Sequence, residues 1–234
     1  MRRYIFDQYY NMKSNTLLII LSILTVYIGL TSFGGEVGRQ IMYPLRLFVT
    51  FLHEFGHALG ALITGGDVIS FIVRNDGSGV TATQGGNRAI VIMGGYIGSA
   101  ILGNLLFYIG ARQQRLAKAT LYSISGIMFV VAIAWFSSIF TTVFLILFAL
   151  ALGLIAKFTK FDQIVVMFLG LASILYIIQD FRVGPRSDLA DYAEHFVIIP
   201  STVWMYIWLV VVLILFVLNI KVIFKKSKYI EEGV

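Results

Sequence analysis

The chain has 234 residues, 59% of them apolar and 13% charged, where ordinary soluble domains carry about 25% charged residues. With a mean hydropathy of +0.87, that balance excludes a soluble enzyme and points to an integral membrane protein. The formal charge of +6 comes from Lys and Arg between apolar runs and at the two ends of the chain, where they read as topology determinants and headgroup contacts rather than as a nucleic-acid surface.

There is no cysteine, so disulfides and thiolate chemistry are excluded, and a bound metal must rely on His and carboxylate ligands.

Arg2, Arg3 and Lys13 precede an uncharged run, 16–33, long enough to cross the hydrocarbon core. It exceeds the usual signal-peptide apolar region and no small-residue cleavage site follows, so an uncleaved first span is expected. Glu36, Arg39, Pro44 and Arg46 mark 34–46 as a joint, and 47–64 is expected to be the second span.

Near the middle of that span stands Leu52-His53-Glu54-Phe55-Gly56-His57-Ala58. On a helix, His53 and His57 lie one turn apart on one face, within reach of one tetrahedral metal, and Glu54 flanks them. This is the His-Glu-x-x-His arrangement of zinc peptidases. Neutral imidazoles bind Zn²⁺ without cancelling its charge, so the ion can lower the pKa of a water towards about 7. Glu54 is then placed to take the proton and pass it to a leaving amine. The plainer alternative is a pair of histidines hydrogen-bonded in a bundle core. Ionisable groups at membrane depth cost about 2.5–3.5 kcal/mol each on insertion scales and mark function, which favours the metal.

Residues 65–88 change character. Gly-Gly pairs bracket two β-prone stretches, Val68–Val73 and Gly79–Thr83, with Asn75-Asp76-Gly77 between them, which is a hairpin signature over 67–84. Such backbone cannot present open edges to lipid, so it should lie against the bundle, where an edge strand could take an extended peptide by β-addition.

The third span, 89–110, carries Gly94, Gly95, Gly98, Ser99 and Gly103 as a small-residue face and should pack against the motif helix. Its amide, Asn104, is a candidate substrate-binding residue or a hydrogen bond to a neighbouring helix. After the basic joint of Arg112, Arg115 and Lys118, the uncharged run 120–156 is too long for one span. A turn near Phe136-Ser137-Ser138 should divide it into 120–136 and 139–156. Spans at 164–179 and 202–220 follow, and Lys225, Lys226 and Lys228 lie in the tail.

Two histidines do not complete a catalytic zinc site, which has three protein ligands and an open position. Between the last two spans, Asp180, Asp188, Asp191, Glu194 and His195 are the candidates. Spacing does not choose among them.

The motif stretch, with Thr64-Gly65-Gly66, Asp76-Gly77-Ser78-Gly79-Val80-Thr81, Gly85-Gly86, Gly95-Tyr96-Ile97-Gly98-Ser99 and, later, Ser187-Asp188-Leu189-Ala190, resembles the M50 peptidases, most closely their M50B-like branch. These are relatives of the site-2 proteases, which cut membrane-anchored proteins within or beside the bilayer. The resemblance implies that His53, His57 and Asp188 bind zinc and that Glu54 is the base. Ser187 or Asp188 could also cap a helix there. The expected fold is an all-α polytopic membrane protein, a single domain of about seven transmembrane helices with a short β-hairpin near the metal site. The expected function is zinc-dependent hydrolysis of a membrane-anchored protein substrate, with a catalytically silent binder of substrate helices or a metal ion as the alternative.

Overall fold

The computed structural model describes residues 2–181, 183, 184 and 187–225. Lys226 and Lys228 lie outside these. Among the described residues the secondary structure is helical apart from one antiparallel hairpin.

Helix α1, Arg2–Ile28, continues through a π turn, Gly29–Phe33, to α2, Gly35–Ile63. Strands β1, Asp67–Val73, and β2, Gly79–Gln84, form the hairpin. Helix α3, Arg88–Met93, runs through a second π turn, Gly94–Gly98, into α4, Ser99–Arg112. Then come α5, Gln114–Ala134, α6, Ile139–Phe158, and α7, Asp162–Asp180. The short α8, Asp188–Phe196, leads to α9, Ser201–Phe224.

Six helical stretches among the described residues are long and apolar enough to cross a membrane: Asn15–Phe33, Arg88–Arg112, Gln114–Ala134, Ile139–Phe158, Asp162–Asp180 and Ser201–Phe224. The motif helix is not among them. Its apolar segment, expected at 47–64, belongs to the longer and more polar α2, and the expected joint at 34–46 is itself helical. Pro44 sits inside that helix, where it removes one backbone donor and disfavours continuation. Tertiary contacts carry the helix through: the Tyr43 hydroxyl donates to the Asn75 carbonyl at 2.8 Å and that of Thr50 to the Gly77 carbonyl at 2.8 Å.

Small residues set the helix packing. The glycines of the third apolar helix serve two partners: Gly94 and Gly98 abut Gly56 of α2, whereas Gly103 and Gly110 abut α7 at Gly170 and Met167. Buried Leu45, Phe48, Phe51 and Leu52 of α2 join Phe71, Val73, Ile97, Leu121, Leu145 and Leu189 in the main core. The hairpin is thereby pinned to α2, with Phe71 packed 5.9 Å, ring to ring, from Phe51.

Hairpin register runs from Asp67 opposite Gln84 to Val73 opposite Gly79, with an irregularity between Val68 and Ser70. Its turn is closed by local chemistry. Gly77 takes φ +81°, and the Asp76 carboxylate accepts from the Ser78 amide at 2.8 Å and the Ser78 hydroxyl at 2.7 Å. Those bonds hold the exposed Asp76 carboxyl below its ordinary pKa.

Candidate metal centre and its surroundings

Helical spacing turns His53 and His57 to the same side of α2, and α8 brings Asp188 to them from across the molecule. The Nε2 of His53 lies 2.8 Å and that of His57 3.2 Å from one Asp188 carboxylate oxygen, Oδ2. Among the described residues these three form the one group of metal-ligating side chains, their donor atoms all within 4.8 Å of one another.

Each of the three side chains has a visible reason for its orientation. The His57 Nδ1 is 2.7 Å from the Val91 carbonyl. A carbonyl only accepts, so in the neutral ring the proton sits on Nδ1 and the Nε2 lone pair faces Asp188. His53 is wedged edge-on between His57 and Tyr96, with ring centroids 4.8 and 4.9 Å away. Ser187 is the cap of α8: its hydroxyl accepts from the Ala190 amide at 3.3 Å. That leaves Asp188, in the first turn, free to reach the histidines. Buried Leu189 and Tyr192 anchor the helix, the latter against Trp204 and Trp208 at 4.8 and 4.7 Å. Burial would raise the pKa of Asp188, but the hydrogen bonds and positive charge that the two imidazoles offer when protonated outweigh it and keep the carboxyl well below the usual carboxylate range.

The donor set fits zinc. Two imidazoles and one carboxylate are a catalytic-type triad with a fourth position open. Tetrahedral bonds of 2.0–2.2 Å set donors about 3.3 Å apart, beside the 2.8 and 3.2 Å between Asp188 Oδ2 and the two histidine nitrogens.

Glu54 is buried and 4% exposed. Its carboxylate rests on β2: the Thr81 hydroxyl donates to Oε2 at 2.7 Å, and a side chain at Gly79 would strike Cγ and Cδ of Glu54 at 2.6 and 2.7 Å. The sequence includes both in the Asp76–Thr81 stretch that carries the family resemblance but gives neither a role. Strand alternation puts them on one β2 face but does not reveal what that face meets.

Two cavities meet at this group. One, of about 420 Å³, is lined by Glu54, His57, Thr81, Arg88 and Asp191, and the other, of about 310 Å³, by His53, Tyr96, Tyr176 and Asp180, with Glu54, Gly79 and Asp188 common to both. Asp180 and Asp191 therefore border the cavities but stand outside the three-residue group, and His195 packs against Phe196 at 5.0 Å. Asn104 lines neither cavity. Its side chain donates to the Ala100 carbonyl at 2.9 Å, and Asn219 of α9 donates to its Oδ1 at 2.9 Å, an interhelical clasp.

Apolar helices enclosing a polar cluster able to hold a metal ion define a multi-pass integral membrane protein with an internal candidate site. A family model described as Peptidase M50B-like matches residues 16–219. The chain belongs to that family of membrane peptidases. No curated protein and no solved structure matches it.

Proposed function

We propose that the protein is a zinc-dependent intramembrane peptidase that hydrolyses peptide bonds of membrane-anchored proteins. The carrying observation is the convergence of His53, His57 and Asp188 beside Glu54, where two cavities meet. His53, His57 and Asp188 hold the ion. When bound, zinc supplies Lewis acidity, which polarises a carbonyl and makes water acidic near neutral pH. Glu54 accepts the proton of the attacking water and delivers it to the departing nitrogen. Thr81 keeps one Glu54 oxygen engaged and leaves the other for that exchange.

The hairpin supports an extended substrate. Its two outer edges differ: on β1 the Phe71 amide donates to the Ser137 hydroxyl at 3.2 Å and the Val73 amide to the Thr141 hydroxyl at 3.0 Å, which closes that edge. The β2 residues Gly79, Val80, Thr81 and Thr83 line the larger of the two cavities instead. A peptide strand laid along β2 lies straight beside Glu54, with its backbone satisfied out of contact with lipid.

Glu54→Gln tests the reading on candidate single-pass membrane proteins. The expected result is full zinc content with cleavage abolished. Unchanged function in Glu54→Gln supports the catalytically silent binder instead.

A further inference from the structure

The π turn Gly94–Gly98 meets α2 through three glycines, and a methyl group at Gly95 would strike something different from one at Gly94 or Gly98. At Gly94 it would run into backbone, the Gly56 carbonyl carbon at 2.8 Å. At Gly98 it would lie 3.4 Å from the Gly56 Cα, an ordinary contact. At Gly95 its nearest neighbours would be His53 Nε2, His57 Nε2 and His57 Cε1, each at 2.6 Å. Both metal-facing nitrogens thus look onto the bare Cα of one glycine. Since zinc sits about 2.0–2.1 Å from each imidazole nitrogen, a methyl group there competes for the space an ion shared by the two rings needs. Helix α3, which leads into the turn, supplies the Val91 carbonyl that fixes the His57 ring.

We infer that Gly95 of this turn is the floor of the metal site, keeping the space in front of both histidines free by having no side chain, and that Val91 of α3 is the positioning contact for His57. The inference rests on the zinc reading above. It also separates two uses of glycine in one helix. Gly94 and Gly98 let backbones approach, whereas Gly95 keeps room for an ion. π turns recur at functional sites because the added residue re-aims a local stretch of helix, and here the stretch is aimed at the ligands. The atoms a Gly95 methyl would meet are the ends of side chains, so the rings shift before the backbone does and give up part of their contacts with Tyr96 and the Val91 carbonyl. The fold survives and the ligand geometry does not.

The experiment uses the full chain purified in detergent, with zinc affinity measured by competition against a chromogenic chelator and folding by thermal unfolding. Gly95→Ala is expected to unfold at the wild-type temperature while binding zinc at least about tenfold more weakly, the scale of disturbed outer contacts to a metal ligand. Gly98→Ala is expected to match wild type in both. A Gly95→Ala chain that binds zinc as tightly as Gly98→Ala, or one that fails to fold, overturns the inference. Wild-type protein that takes up no zinc overturns the metal reading itself, a result distinct from equal zinc on wild type and Gly95→Ala.

Discussion

Glu54 is held from behind as well as presented to the cavities. Thr81 and Gly79 stand two apart on β2, so both face α2, one giving a hydroxyl and the other giving space. A hydrogen bond to a charged group contributes about 1.5–3 kcal/mol. The bond favours the charged carboxylate and is regained as Glu54 passes its proton to the departing nitrogen, so where that step limits the rate its loss lowers turnover by about 10- to 100-fold. Thr81→Val should therefore slow cleavage of a single-pass substrate by that factor with zinc content and KM unchanged, and Thr81→Ser should restore most of it. An equal loss in Thr81→Ser would argue for a packing role of the methyl group instead. None of this is legible in the sequence, because Thr81 reads as an ordinary strand residue and its partner lies 27 positions away.

Among elements, the junction of α4 with α7 shows what small residues do when lipid removes the usual hydrophobic drive between helices. Close backbone approach is then what holds them. A Cβ at Gly110 would lie 2.6 Å from the Met167 amide nitrogen and one at Gly170 2.7 Å from the Phe107 Cα. Gly110→Ala should destabilise the protein by about 1–3 kcal/mol, the usual cost of overpacking. Gly126→Ala, in α5 with nothing within 4 Å, should be neutral or slightly stabilising, because alanine lowers the entropy of the unfolded chain. Thermal unfolding in one detergent checks the pair. The small-residue pattern of 89–110 is plain in the sequence, and so is the hairpin between its glycine pairs. Partners are not: periodicity marks a smooth face without saying which helix takes which half of it. Pro44 misleads for a related reason, since local preference argues for a break where contacts from Tyr43 and Thr50 to the hairpin turn favour a helix.

For the whole molecule, hydropathy delivers the membrane class, and the His-Glu-x-x-His spacing delivers two candidate ligands and a candidate base. Asp188 is a different matter. It lies 135 positions from His53, and from residue types alone it is one acid among several. The family resemblance at Ser187–Ala190 points to it, and the packing of α8, through Leu189 and Tyr192, brings its carboxylate to both rings. Everything in the functional reading depends on that convergence holding an ion. The direct measurement is X-ray absorption at the zinc edge on the purified chain and on Asp188→Asn. One zinc per wild-type chain, bound by two imidazole nitrogens and at least one carboxylate oxygen and weakened or altered in Asp188→Asn, is the result this structure predicts. Wild-type protein without stoichiometric zinc, or a zinc shell that Asp188→Asn leaves untouched, would contradict it.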